Sequence, residues 1–585
     1  MKRWKPALFA LCLIFVVPEG VFSQIFTPDK YVKALWMATR FYGAQRSGLG
    51  PNWINQDSPF PTSFVKDSYN GKDISGGWFD CGDHVMFGQT QFFASYVLAK
   101  SYVSFPLAWH DLYNGADYSD YKASQDYSMT GGTPNGIPDL LEELRYEADF
   151  IVKITPDAST FIEQKGDGSA DHQNWVTPGK MSTLVKASGG EKDASRLIIA
   201  TTADANAPGL ASATLAIMAR VDPDATRRAT YLAHAINALN FAKTQTGVET
   251  APGNFYNSGW WGDRWREARV MAAMELFTTT GDQTYKDYAS SEFAQISKDG
   301  GMYSRFEYAN SVPLTRIMAL KEFGDAGTGS SMSIDTYLSN YRNAVNSNGA
   351  TAAMTGNFAT RGPTGAAFLH GFMTTVDQST AYDAFIYQQV DYILGGNSQN
   401  QAYMTGWDET DKTGAAKKNP IYPHHRGYYG NTSIATSDAY FNTHASPAKS
   451  KYLGAIMGGY LDGSINNDLM DWNHNEVCSD MNAPLVGALG YIVQKLSPSN
   501  TPIPVMPAIK TSQGIRVIRE GSSFVFQTSG SHALDIRIMN LGGQVVAHLS
   551  GSKYLRWMAP STGVYVAKIL TAPGQFEARR LSVAF

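Results

Sequence analysis

From Pro28 to Leu496, small and apolar residues recur at three- and four-residue spacing in twelve separate segments, the mark of helices with a buried face. The segments fall near 28–46, 86–104, 138–154, 207–220, 224–245, 262–279, 283–297, 310–323, 334–346, 363–376, 378–394 and 481–496. Between them lie long stretches rich in Gly, Asn, Asp and aromatic residues, chiefly 47–85, 155–206 and 396–480. Loops of that length inside a compact domain are usually functional. The expectation is an all-α scaffold over 24–496 that carries a site on one face.

The texture changes at both ends. Lys2, Arg3 and Lys5 precede an apolar run from Ala7 to Val17, and Val21-Phe22-Ser23 supplies small residues before Gln24. Residues 1–23 therefore read as a secretory signal peptide, since the apolar run is too short to span a bilayer. No later segment reads as membrane-spanning, and the chain is expected to be exported. Residues 497–510 form a Pro-rich, semi-extended linker. Beyond it, short alternating runs such as Leu534–Met539 and Gly563–Ile569, with a turn at Leu541-Gly542-Gly543, predict strands and hairpins. Residues 511–585 hold eight Lys+Arg and three Asp+Glu, a net of +5 that leaves −9 for the rest. A small basic all-β sandwich is expected to follow a large acidic helical domain.

Composition narrows the function. Hydrophobic residues at 43% exclude global disorder. A formal charge of −4 gives no basic footprint for nucleic acid. Charged residues are only 17%, while Trp 12, Tyr 31 and Phe 29 are plentiful, which suits handling of a neutral polar polymer. Of three cysteines, Cys12 falls in the leader, leaving Cys81 and Cys478.

Four loop motifs carry potential chemistry. Gly76-Gly77-Trp78-Phe79-Asp80-Cys81-Gly82-Asp83-His84 holds two carboxylates that can converge on a water or a cation, although Asp and Gly also simply make turns. Its Cys and His match no standard metal spacing. Tyr422-Pro423-His424-His425-Arg426-Gly427 packs two imidazoles beside a guanidinium, and reads equally as hydrogen-bonded core histidines. Gly166-Asp167-Gly168-Ser169-Ala170-Asp171-His172-Gln173-Asn174-Trp175 has the look of a loose calcium loop without its closing Glu. The last is Asp471-Trp472-Asn473-His474-Asn475-Glu476-Val477-Cys478.

Together, and in this order along the chain, the motifs resemble glycoside hydrolase family 9, the inverting cellulases. Phe41-Tyr42-Gly43-Ala44-Gln45-Arg46-Ser47-Gly48 and Asn135-Gly136-Ile137-Pro138-Asp139 add to the likeness, which covers about residues 28–496. The resemblance implies an (α/α)6 barrel whose first and last helices lie side by side, so that Asp83 and Glu476 face one cleft. It implies Asp83 as general base, Asp80 orienting the attacking water and Glu476 as general acid. By the same carry-over His424 and Arg426 bind the sugar beside the scissile bond, while His172 and Trp175 line neighbouring subsites.

Inverting acetal hydrolysis needs a proton on the leaving oxygen and an activated water on the opposite ring face, with carboxyls roughly 6.5–9.5 Å apart. Glu476 should thus be held protonated by burial among apolar neighbours such as Trp472, and Asp83 held ionised by donors. The chain departs from the family pattern in several places. Cys81 and Cys478 stand where Ala is usual, Met481 where Tyr is usual, and Asn467 with Asp468 where Asp is usual. Arg361-Gly362-Pro363-Thr364-Gly365 replaces the Trp-rich segment of processive members. No cofactor is required by this chemistry; a structural calcium belongs to the family, but Gly262 breaks its ligand pattern around Ser258–Asp263. The two cysteines read either as a disulfide fixing the acid–base separation or as two buried thiols.

The resulting expectation is a secreted, monomeric endo-β-1,4-glucanase acting on cellulose or another β-glucan. A xyloglucanase, mixed-linkage glucanase or exo-glucosaminidase on the same scaffold, or a non-catalytic polysaccharide-binding surface protein, stay open. Residues 511–585 resemble C-terminal sorting or attachment domains, through Ile538–Val546 and Gly563-Val564-Tyr565. That implies contact with secretion or cell-surface machinery of a Gram-negative bacterium, the enzyme being secreted or held on the outer surface.

Overall fold

Twelve helices occupy the predicted segments in a computed structural model that describes residues 24–48, 63–112, 134–176, 178–185, 190–192, 196–247, 264–297, 301–354, 356–420, 423–426, 453–468, 471–497, 503, 516–520, 522–527, 534–540, 544–551, 554–572 and 575–583. They are α1 (Pro28–Ala44), α2 (Gly88–Ser104), α3 (Asp139–Ile154), α4 (Asn206–Val221), α5 (Ala225–Thr244), α6 (Arg264–Thr280), α7 (Gln283–Phe293), α8 (Val312–Phe323), α9 (Ile334–Asn343), α10 (Arg361–Asp377), α11 (Asp383–Ile393) and α12 (Ser479–Leu496). The expected leader, the turn at Leu541–Gly543 and the Ser258–Asp263 segment lie outside the described residues, as does most of the linker. Ile503 of that linker docks on the barrel, donating its N–H to Pro106 O at 3.0 Å.

The helices form two concentric rings. The even-numbered helices close an inner ring in which α2, α4, α6, α8, α10 and α12 each pack on the next and α12 returns to α2. The odd-numbered helices pack outside them. Sequence explains the division. Every residue of α4 is buried, and its run of Ala, Gly, Ser and Leu is small or apolar on all sides. Outer helix α5 buries a single stripe through Tyr231, Leu232, Ala235, Ala238, Leu239 and Ala242. Inner helices approach closely: a Cβ on Gly209 of α4 would lie 2.8 Å from the Cβ of Ala268 on α6.

Two helix starts differ from expectation. Met86–Phe87 is a strand, paired with Ile162–Lys165 and through it with Ile198–Ala200, so α2 begins only at Gly88. Gln378 takes left-handed backbone (φ 56°) as the C-cap of α10, and the chain must reverse before α11 starts at Asp383.

Among the described residues, the C-terminal region has seven antiparallel strands in two sheets. One orders Tyr554–Met558, Ser523–Gln527 and Arg516–Glu520; the other orders Gln575–Val583, Gly563–Ala572, Leu534–Asn540 and Val545–Gly551. Phe524, Phe526 and Trp557 of the first share one core with Ile536, Ile538, Ala567 and Ile569 of the second, the expected sandwich. No helix among the described residues is long and apolar enough to cross a membrane.

Candidate active site

Ring closure brings the loop before α2 against the turn before α12. Ser479 N donates to Asp80 O (2.7 Å), Ser479 Oγ to Phe79 O (3.2 Å), and Tyr42 OH of α1 to Ser479 O (2.7 Å). A third segment, Pro423–Arg426, lies between them. His424 N donates to Asn475 O (2.8 Å) and Arg426 N to Gly82 O (2.9 Å). Residue 82 must be glycine here, because a Cβ would sit 2.3 Å from His424 O. Cys81 and Cys478 are disulfide-bonded, their Cα atoms 3.9 Å apart, which decides between the two readings of the cysteines.

These segments floor a cleft of about 510 Å³ lined by Asp80, Asp83, His172, Trp175, His424 and Glu476. The two carboxyls expected to act as base and acid are held in opposite protonation states. Burial raises Asp83, but the His172 hydrogen bond and charge, the Val85 N–H (2.9 Å) and Arg426 outweigh it and hold it below the ordinary carboxylate range. Glu476 is pushed up to about 8, first by burial and then by the charge of Asp83; His172, the Gly82 N–H (3.2 Å) and Arg361 oppose the rise. Asp80 is buried beside them and accepts from Thr90 Oγ1 at 3.1 Å.

His172 reaches Asp83 from a short helical turn, Gly168–Asp171. Asp167 caps that turn, accepting from Ser169 N and Ala170 N. Asp171 accepts from His84 N (3.1 Å) and fastens the turn to the base loop. The carboxylates that suggested a calcium loop thus serve as a cap and a brace. His172 stacks on Trp175 with ring centroids 6.1 Å apart, and Trp175 meets His424 edge-on at 4.0 Å.

The His424-His425-Arg426 triplet divides. His424 lines the cleft. His425 is core, its Nε2 2.8 Å from Gln45 Oε1, with burial pushing its imidazole well below the ordinary range. Arg426, expected to bind sugar, is fully buried behind the cleft instead. Its guanidinium donates to Cys81 O (2.8 Å), to Asp83 O and to Gln45 Oε1 (2.8 Å), and lies 4.2 Å from the Phe79 ring centroid. It shapes the base loop from beneath.

Sequence reasoning missed much of the opposite wall, Tyr308 and Phe358 above all. Tyr308 and Phe358 line the cleft with Arg361 of α10, whose guanidinium sits 5.0 Å and 4.5 Å from their centroids and pairs with buried Asp480 at 2.9 Å. Trp472, 51% exposed, continues this wall. Tyr308 and Phe358 lie in loops without motif or period, and only the aromatic-rich composition hinted at them. At the Asn467/Asp468 departure, the backbone carbonyls of Asn466 and Asp468 accept from Asn475 Nδ2 (2.8 and 2.7 Å), fixing the residue before Glu476.

Comparison with known proteins agrees with this architecture. The sequence pattern of Glycosyl hydrolase family 9 matches residues 31–489. Endoglucanase A of Fibrobacter succinogenes is 44% identical over 410 residues, covering 69% of this chain and 88% of that protein. Endoglucanase B of Cellulomonas fimi is 28% identical over 541 residues, 87% of this chain and 46% of that protein. Among solved structures, a C. cellulolyticum cellulase complexed with cellobiose has the same fold at a TM-score of 0.62 and 22% identity, covering 80% of this chain and 99% of that one. A Clostridium thermocellum endoglucanase complexed with cellotriose does so at 0.59 and 19%, covering 88% and 81%. A pattern matched over nearly the whole helical region, on a closed double ring of helices, leaves one conclusion: the chain belongs to glycosyl hydrolase family 9.

Proposed function

We propose that the protein is a secreted endo-β-1,4-glucanase that cleaves internal bonds of cellulose or a related β-glucan with inversion. The observation that carries this reading is the pair of carboxyls lining one aromatic cleft, Glu476 kept protonated and Asp83 kept ionised. Two titratable groups driven apart by their surroundings are what acid–base division of labour requires. Glu476 protonates the leaving glycosidic oxygen. Asp83 takes a proton from water on the other ring face, and Asp80, buried beside it, orients that water. His172 holds Asp83 ionised, and Trp175, His424 and Trp472 offer flat faces to glucose rings. Two carboxyls and one water complete the proton transfers, so the proposed reaction needs no cofactor.

The relatives named above are endoglucanases, and the solved ones hold cellobiose or cellotriose, which supports a β-1,4-glucan substrate. Monomeric action outside the cell, with the basic sandwich sorting or attaching the enzyme at a Gram-negative outer surface, completes the proposal. Release of reducing ends from carboxymethylcellulose, with a fall in its viscosity, tests the endo activity against cellobiose and chitobiose derivatives. Proton NMR of the first product tests inversion: the α-anomer is expected first, and early β-anomer excludes the mechanism.

A further inference from the structure

Cys81 lies between Asp80 and Asp83, and Cys478 lies two residues beyond Glu476, so their bond ties the base loop to the acid loop. Both cysteines line the cleft. The two sulfurs and a Glu476 carboxylate oxygen lie within 4.8 Å of one another. A disulfide is apolar and has no proton to donate, so this side of the carboxyl is closed by a surface that excludes water and gives a negative charge no support. Elsewhere Glu476 faces the Gly82 N–H, the charges of Asp83 and His172 on the base side, and Arg361 from α10.

We propose that the Cys81–Cys478 disulfide positions the reacting groups: it fixes the base loop to the acid loop and walls one side of the Glu476 carboxyl from water. The inference rests on the assignment of Asp83 and Glu476 as base and acid. The loops have other ties, including Ser479 N to Asp80 O (2.7 Å), Arg426 N to Gly82 O (2.9 Å) and Gln45 Nε2 to Cys81 O (2.8 Å). A chain without the bond should therefore keep its fold and lose precision at the site.

Thiol titration of the unfolded, unreduced mature enzyme should find no free thiol; two free thiols overturn the proposal. In the Cys81→Ala/Cys478→Ala double variant, kcat on a soluble β-glucan should fall about tenfold with KM nearly unchanged, because small misplacements of catalytic groups cost up to about 10²-fold. The alkaline limb of the pH–rate profile should also move down by about half a unit or more, since water reaching Glu476 and slack between it and Asp83 both ease its ionisation. A purely structural staple lowers the melting temperature and moves neither reading, so an unchanged kcat or an unmoved limb overturns the proposal. If the double variant does not fold, dithiothreitol reduction of the native enzyme gives the same two readings while circular dichroism confirms intact helices. The dithiol supplies two electrons and two protons, leaving two cysteine thiols and its own cyclic disulfide. Glu476→Gln, measured alongside, keeps the two failures apart. Retained activity there breaks the acid assignment, whereas an inactive Glu476→Gln beside an unaltered double variant breaks only the role of the bond.

Discussion

His172 Nε2 donates to Asp83 Oδ2 at 2.6 Å, and each group fixes the charge of the other. Burial alone would push the imidazole down, but the hydrogen bond and charge of Asp83, with Asp171 and Glu476, push it up to about 10. Asp83 is lowered in return, so at neutral pH a cation holds the base as an anion.

The kcat/KM profile of the free enzyme should therefore be a broad bell. Activity falls as pH rises through about 8, where Glu476 loses its proton, and falls at low pH only below the ordinary aspartate range. In His172→Ala, Asp83 loses its main opposing charge while burial still raises it, so the acidic limb moves up by about 1–3 units. A limb that stays put removes His172 from this role.

Glu476→Gln should be more stable than wild type at alkaline pH. Folded Glu476 keeps its proton to about 8, whereas an unfolded glutamate releases it near 4.5, so this position costs stability progressively as pH rises between those values. Glutamine has no such cost. Its advantage should grow from pH 5 to pH 8 toward roughly 2–4 kcal/mol, read as a widening melting-temperature difference. A difference that is flat with pH contradicts the raised state of Glu476.

Arg426→Ala should cost about 3 kcal/mol or more in denaturant unfolding, because buried carbonyls of the base loop lose a charged donor. Arg426→Lys should recover only part, since an ammonium cannot match a guanidinium fork. Wild-type stability with a raised KM would return the residue to sugar binding.

Trp472→Ala should weaken oligosaccharide binding by about 1 kcal/mol, several-fold in Kd, through loss of a stacking face. Because Trp472 is half exposed, stability should change by no more than about 0.5 kcal/mol. Calorimetry with cellotetraose reads the first and thermal melting the second.

The helices were legible because inner-ring helices are small and apolar all round and outer ones carry a single stripe. The strands Ile162–Lys165 and Ile198–Ala200 were not, being too short for alternation to register. Asp80, Asp83, His172, Trp175, His424 and Glu476 were found through motifs and the family those motifs resemble, and all six line the cleft. Arg426 was misplaced for a local reason. The family carry-over set it beside His424 at the sugar, but its side chain is fully buried under the base loop, where it donates to Cys81 O and Asp83 O. Tyr308, Phe358 and Arg361 reach the cleft from separate loops and a helix, a convergence that only ring closure produces. Cys81 and Cys478 were the one candidate pair, yet composition cannot say whether two cysteines meet.

The assignment of Glu476 as the acid is tested most directly by the turnover of Glu476→Gln on an unactivated β-1,4-glucan, with binding of the same oligosaccharide measured in parallel. General acid catalysis contributes about 10²–10⁴-fold, so kcat should fall by at least about a hundredfold while Kd stays within a few-fold of wild type. A variant that keeps more than about a tenth of the wild-type rate with the same affinity would place the leaving-group proton elsewhere.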